Sequence, residues 1–592
     1  MTIDDSHYCL VTTAIKNFWD EDSKLLFLGP WCLANEEGGV FNMNNVLVVA
    51  SPWKPAYRLK EASDYCCQVY NKVLPQMSIK LNELHNVTYP VEYWGVLIGY
   101  WLSNFIQIVY DKYVRIKSVL DHYPDFFIYV LPREKCKPIS YSYSDLYLGI
   151  NARSQSDCYT LKLISMVAYE LCPEKTIVKD YAIEDRINET KQRWIRRWFN
   201  YLRTPFESTF RGKIILSNMY HVSIKDLLKL KIKLGLNSLG LREFVLIKPQ
   251  IKTDLMRRMS SEMRSRLMIS DYGNGFEALL KKMIVDAIPI CCVEDYFHYS
   301  NSVSNNIDLN LVGSAVGWGH SEFFKFFAAE AALKGAKLAE FQHGGGYGSS
   351  MLTPLEELSV ERGVFYSWGH TYKDNRNVIP LPSPYLSKLM DSYSCKNVNN
   401  DIVFVGTAIF KQFRNFESHY FQDDIVYYFN SKNNFLDALP GDIRKYIIYR
   451  PGLKLGWKEL NIIKKIAPEI QYNVKGRLTD LMRKARITVV DHPATSFIEA
   501  LVINVPTVLY WDHDICLMRL EAEPYFQALR DAGVLYKDPI SAAEKVNKIF
   551  DDPMEWWHSN TVQNVRKEFC GRFAYARKDW LDVWVKELRK HM

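Results

Sequence analysis

The sequence predicts an α/β protein of parallel sheets, arranged as two domains with a cleft between them. Three observations carry this. Short β-type apolar runs recur along the chain, separated by stretches of helical spacing, which is the pattern of βαβ units. The alternation becomes compact after Asp401, where strands are predicted at 402–405 (IVFV), 446–449 (YIIY), 487–490 (ITVV) and 507–510 (TVLY). Between the halves, residues 380–400 are rich in Pro, Ser and Asn and read as a connection.

In the first half the runs 25–28 (LLFL), 46–50 (VLVVA), 126–131 (FFIYVL), 214–217 (IILS), 307–312 (IDLNLV) and 337–341 (KLAEF) are the predicted strands. Residues 63–120 and 192–285 are mostly helical in pattern and read as layers or insertions around the first sheet. Residues 93–110 carry no charge, but they include Ser103, Asn104 and Gln107. At 18 residues the stretch is short for a membrane span of about 20, so a buried helix is expected. Phe569, Phe573, Trp580 and Trp584 fall at helical spacing near the end of the chain. The expected division is a domain at 1–385, a linker at 386–400, a second domain at 401–555, and closing helices at 556–592 that pack back across the cleft.

Composition narrows the function classes. The 592 residues carry 74 Lys+Arg against 67 Asp+Glu, a net +7 with no basic stripe, so no nucleic-acid partner is expected. A hydrophobic fraction of 48% with 24% charged residues excludes a disordered chain. The twelve cysteines form no C-x-x-C and suit thiols in a reducing cytosol rather than disulfides or structural zinc. Met1 to His7 is polar and acidic, so no signal peptide is expected.

Ligands of such sheets bind beyond the carboxyl ends of strands, and several strand-end loops carry chemistry. The first is 489–501 (VVDHPATSFIEAL), followed by 505–510 (VPTVLY). Thr495 and Ser496 stand where a helix N-terminus offers free N–H groups to phosphate oxygens. Glu499, one turn on, is placed to accept hydrogen bonds from a ribose. The same residues also suit capping of that helix. The second is 341–348 (FQHGGGYG). Gly344, Gly345 and Gly346, beside Gln342, let the backbone approach a ligand closely. His343 is a candidate general base at a strand end, with a structural glycine turn as the other reading. The loop lacks both the GK[ST] ending of a P-loop and the G-x-G-x-x-G spacing, which argues against an ATPase or dehydrogenase.

Arg450 and Lys454 suit a diphosphate or a sugar carboxylate, or form a solvated basic turn. Gly406 and Thr407 offer a backbone phosphate contact. Glu294 and Asp295 are a carboxylate pair able to act as base or nucleophile, or to start a helix. Asp512, His513 and Asp514 are too tightly spaced to converge on a metal. No D-x-D signal stands at a strand end, so no metal is expected.

The order strand, hydroxyl turn, S-x-x-E-A-L (496–501) and V-P-T strand resembles the donor site of GT-B glycosyltransferases. In those enzymes two Rossmann-like domains face a cleft and the C-terminal one holds the nucleotide sugar. His492-Pro493 is similar to the His-Pro motif of bacterial sialyltransferases and capsule Kdo transferases, whose histidine contacts the phosphate of a CMP-activated acid sugar. The element at His343-Gly344 is similar to one in the acceptor-side domain of several polysaccharide-assembly transferases. From end to end the chain resembles a family of transferases of bacterial surface-polysaccharide clusters. The matching stretches are 10–14, 26–31, 93–102, 342–348, Arg450 with Gly456-Trp457, 492–501 and 569–584. Arg450-Pro451-Gly452 departs from some relatives by lacking a second His-Pro.

The resemblance implies a GT-B-like α/β fold whose N-terminal domain carries large helical insertions. It implies a metal-independent glycosyltransferase of O-antigen or capsule assembly, with no cofactor beyond a nucleotide-sugar co-substrate. The implied donor is a CMP-activated Kdo or nonulosonic acid, and the acceptor a glycan, free or lipid-linked. A cytoplasmic location follows, with peripheral contact to the inner membrane or to other polysaccharide enzymes. Two further readings stay open: a non-catalytic glycan-binding or scaffold protein of GT-B shape, and a GT-B-like sugar-nucleotide epimerase.

Overall fold

The computed structural model describes residues 7–36, 46–151, 155–182, 212–235, 238–241, 259–269, 275–303, 308–374, 376–391, 399–452 and 457–592. They form three sheets whose strand pairings are all parallel. The α/β class and the Rossmann-like sheets are as the sequence predicts.

The first sheet contains β1 (Tyr8–Val11), β2 (Lys24–Phe27), β3 (Leu47–Val48), β4 (Phe126–Val130) and β5 (Thr176–Val178), in the order β3-β2-β1-β4-β5. Between β3 and β4 run two long helices, α1 (Tyr57–His85) and α2 (Val91–His122). The second sheet contains β6 (Ile214–Ser217), β7 (Leu239–Leu241), β8 (Leu311–Ser314), β9 (Lys337–Phe341), β10 (Val364–Ser367) and β11 (Val378–Pro380). Its order is β11-β10-β9-β8-β6-β7, so the chain changes direction across the sheet between β6 and β8. The single first-half sheet expected from sequence is therefore two sheets, because apolar runs mark strands without marking which strands pair.

The third sheet contains β12 (Ile402–Val405), β13 (Ile447–Arg450), β14 (Gln471–Tyr472), β15 (Ile487–Val490), β16 (Thr507–Tyr510) and β17 (Leu535–Tyr536). Its order, β14-β13-β12-β15-β16-β17, is the doubly wound one, with the switch point between β12 and β15. Every residue of β12, β15 and β16 is buried, as central parallel strands covered on both faces require.

The uncharged stretch at 93–110 lies within α2 and is almost wholly buried. Some of its polar groups find protein partners: Asn104 donates to Tyr100 O at 2.8 Å, and Gln107 Oε1 accepts Phe416 N–H at 2.8 Å, while Trp101 Nε1 and Asn104 Oδ1 have none among the described residues. Among the described residues no helix is long and apolar enough to cross a membrane. No disulfide links the described cysteines.

Helices α3 (Pro354–Arg362) and α4 (Pro384–Asp391) belong to the second sheet's end of the chain. The segment expected as a linker thus begins as helix, with Leu386 buried, and residues 392–398 lie outside the described set. In the third sheet's domain, α5 (Ile425–Ala438) follows β12 and α6 (Thr495–Ile503) follows β15. The closing helices pack on elements of both the second and the third sheet. Helix α7 (Asn560–Phe573) packs Phe569 against Phe497 of α6, with ring centroids 5.7 Å apart. Helix α8 (Trp580–Leu588) instead stacks Trp584 on Phe341 of β9 at 5.1 Å and donates its indole N–H to Pro382 O at 2.8 Å.

Candidate functional site

The switch point of the third sheet is bounded by Gly406-Thr407 after β12 and by Asp491-His492-Pro493 after β15. A side chain at Gly406 has no room, since a Cβ there would lie 2.3 Å from the Tyr449 hydroxyl. Beyond these ends lies a cavity open to solvent. Thr407, His492, Pro493 and Ala494 line one side of it. Gln412, Arg414, His419, Tyr420 and Gln422, from the long connection between β12 and α5, line the other.

His492 is set by a buried relay. Lys432 of α5 and Asp491 form an ion pair with side chains 0% and 2% exposed. Lys432 also sits over the rings of Tyr428 at 4.2 Å and Phe404 at 4.7 Å. Burial alone would raise the Asp491 carboxyl, but Lys432 and the His492 hydrogen bond outweigh it and hold it below its ordinary value. Asp491 Oδ1 lies 2.9 Å from His492 Nδ1, so Nδ1–H donates to the carboxylate. His492 Nε2 faces the Ser496 hydroxyl at 3.4 Å, where it accepts in the neutral ring and donates in the imidazolium.

The glycine loop after β9 meets this site directly. Gly345 N–H donates to Thr495 Oγ1 at 2.9 Å, and a Cβ on Gly345 would lie 2.9 Å from Thr495 N. Two strand-end loops from different sheets, which the sequence separates by about 150 residues, are thus in contact. The contact fixes the Thr495 side chain: its hydroxyl oxygen accepts Gly345 N–H, its O–H can still donate, and α6 has no side-chain cap. Gly346 and Gly348 adopt φ of +89° and +68°, which explains glycine at both. Gln342 is likewise committed to the loop, accepting Trp368 N–H at 2.6 Å and donating to Gly344 O at 2.8 Å.

His343 stands beside Tyr347, whose hydroxyl is 3.3 Å from Nε2. Burial, with a smaller contribution from His320, lowers its pKa to about 4, so the imidazole is neutral at pH 7. In that form it is a proton acceptor.

The loop is held from below by Glu356 of α3, which the sequence reading passed over. This carboxylate, 0% exposed, accepts Gly348 N–H at 3.1 Å, the Tyr372 hydroxyl at 2.6 Å and the Thr353 hydroxyl at 2.7 Å. His370 Nε2 pairs with it at 2.8 Å and Arg519 Nη2 lies at 3.5 Å. Arg519, from the third sheet's domain, also donates Nε–H to Ser350 O at 3.0 Å. No local motif announces this hub, since its members lie up to 171 positions apart and only the fold assembles them.

Other sequence candidates fall elsewhere. Arg450 donates to Asn473 O, Lys475 O and Gly476 O at 3.2, 2.9 and 3.0 Å, which commits its guanidinium to closing that turn rather than to an anion. Lys454 lies outside the described residues. Glu499 is buried at α6, where burial raises its carboxyl and the Tyr385 hydroxyl donates to it.

Glu294 and Asp295 are each held by a partner of their own. Glu294 forms a two-point pair with Arg264 at 2.7 and 3.0 Å, and Asp295 accepts the Tyr141 hydroxyl at 2.6 Å. None of these partners belongs to the strand-end loops. A carboxylate following the buried run at 288–293 needs a counter-charge, and Arg264 supplies it. Among the described residues no group of three or more His, Cys, Asp or Glu is placed to hold a metal ion.

Solved structures with a similar course of chain include WaaG, a glycosyltransferase involved in lipopolysaccharide biosynthesis (10% identity, 63% of this chain and 99% of that chain, TM-score 0.28). Others are Anabaena Alr3699/HepE in complex with UDP and glucose (10%, 64% and 100%, TM-score 0.33) and Acinetobacter baumannii MurG (11%, 64% and 100%, TM-score 0.32). Scores this low carry nothing to the reading of the site. No curated protein is similar to the chain by sequence. A family model, however, matches it over residues 8–588, and the chain belongs to the LIC12162 family of transferases.

Proposed function

We propose that this transferase moves a sugar from a nucleotide sugar to a glycan acceptor, free or lipid-linked, in bacterial surface-polysaccharide assembly. The observation that carries the reading is the contact of Gly345 with Thr495, three residues from His492, which lines a pocket at the switch point of a doubly wound sheet. His492 and the Ser496 hydroxyl would stabilise the leaving phosphate, with Gly406 and Thr407 contributing backbone. Glu499 would take the ribose, and neutral His343 would accept the proton of the attacking hydroxyl. The His-Pro pair favours CMP-linked Kdo or a nonulosonic acid as donor.

Thermal stability against CMP, UDP, GDP, CDP and TDP tests the donor. A native-state ligand at a hundredfold excess over Kd adds about 2.7 kcal/mol. CMP is expected to shift the unfolding temperature. A shift with UDP or GDP alone would discard the acid-sugar donor, and no shift with any nucleotide would discard the nucleotide-sugar reading. His343→Ala is expected to lower turnover by roughly 10²–10⁴-fold, the range for a general base, with CMP affinity unchanged. Full activity would remove it as the base.

A further inference from the structure

Two glutamines in the cavity wall carry polar atoms that nothing among the described residues satisfies. Gln412 is 1% exposed and its Oε1 has no hydrogen-bond partner among the described residues. Gln422 is 2% exposed and its Nε2 has none. Both line the cavity that His492 borders.

Orientation at Gln412 is settled by its neighbour. Its Nε2 donates to Asp157 Oδ1 at 3.0 Å, while Lys411 takes Asp157 Oδ2 at 2.6 Å. Turning the amide over would set its oxygen against that carboxylate, so Oε1 remains the unpaired atom. A buried donor and a buried acceptor left unmade in one cavity are costly unless a ligand completes them.

The ligand must be able to donate at one point and accept at another. A hydroxyl does both, whichever way the Gln422 amide lies. Phe410, Tyr420 and Phe421 line the same cavity and give it apolar faces between the amides. That combination of flat apolar walls and isolated amides suits a polyhydroxylated ring. Charge is balanced there too, since Arg414 is paired with Glu417.

We infer that the cavity beside His492 holds the transferred sugar, and that Gln412 and Gln422 bind its hydroxyls and set which sugar is accepted. The inference rests on the nucleotide-sugar reading above, with His492 at the phosphate and the two glutamines deeper in the wall.

The test is the affinity that the sugar adds to its nucleotide, measured by calorimetry on the full chain. The probes are CMP against CMP-N-acetylneuraminate, UDP against UDP-glucose and GDP against GDP-mannose. For the pair that binds the wild type, Gln422→Met and Gln412→Met are each expected to reduce the nucleotide-sugar affinity by about tenfold, one lost hydrogen bond, and to leave the bare nucleotide unchanged. Unfolding temperature without ligand checks the fold of each variant, and if one fails to fold, the other carries the comparison.

An unchanged ratio in a folded variant would overturn the assignment. So would an equal loss for bare nucleotide, which would place the nucleotide rather than the sugar in the cavity. If the wild type binds no nucleotide at all, the nucleotide-sugar reading itself falls, and the sugar assignment with it.

Discussion

Replacing Lys432 with methionine is expected to lower the free energy of unfolding by about 3–5 kcal/mol, the range for breaking a buried ion pair on one side. Lys432 and Asp491 are almost wholly buried, and their pairing is what keeps Asp491 ionised beneath His492. Without the ammonium, Asp491 protonates or remains an uncompensated buried charge, and either outcome releases the His492 tautomer. Transfer activity should fall with stability. Asp491→Asn in the same background should recover part of the stability, because it removes the stranded charge, but none of the activity. Urea midpoints of the two single variants and the double variant measure this. A loss below about 1 kcal/mol in Lys432→Met, the level of an exposed pair, would mean that the relay is not what holds His492.

Glu356→Gln is expected to cost about 3 kcal/mol at neutral pH. Burial would raise this carboxyl, but the hydrogen bond and charge of His370, with Arg519 and Tyr372, hold it at about 2 against an ordinary 4.5. At about 1.4 kcal/mol per unit of pKa, that difference is the stabilisation. The folded pKa is depressed, so the contribution is fully present above pH 4.5 and is lost as the pH falls from there towards 2. The stability gap between wild type and variant should therefore be constant from pH 7 to about 5 and should narrow in acid. A gap that stays constant down to pH 2 would show that the carboxylate's charge is not what matters. Because Glu356 accepts Gly348 N–H, the variant should also loosen the glycine loop and raise turnover defects beyond its stability loss.

The third sheet was the most legible part of the fold. Strands β12, β15 and β16 fall where the sequence predicts them, and β13 is displaced by one residue. Central parallel strands are covered on both faces, so they must be apolar along their whole length and stand out as runs. Short edge strands such as β14 (Gln471–Tyr472) and β17 (Leu535–Tyr536) leave no such mark. Arg450 was legible as a cation at a strand end, but its use was not. Its acceptors are carbonyls of residues 473–476, and the pairing of β13 with β14 is what brings them within reach.

Sequence by itself determined the α/β class, the strand-end loops and the glycine run, and offered His343, His492 and Ser496 as candidates, because each of these depends on local spacing and residue chemistry. Tertiary structure alone decided that the first half divides into two sheets and that Gly345 rests on Thr495. It alone placed Glu294 opposite Arg264 and set Gln412 and Gln422 in the cavity wall. The physical reason is the same in each case. Whether a buried polar group is structural or functional depends on whether the protein supplies its partner, and the partners lie on elements remote in the chain.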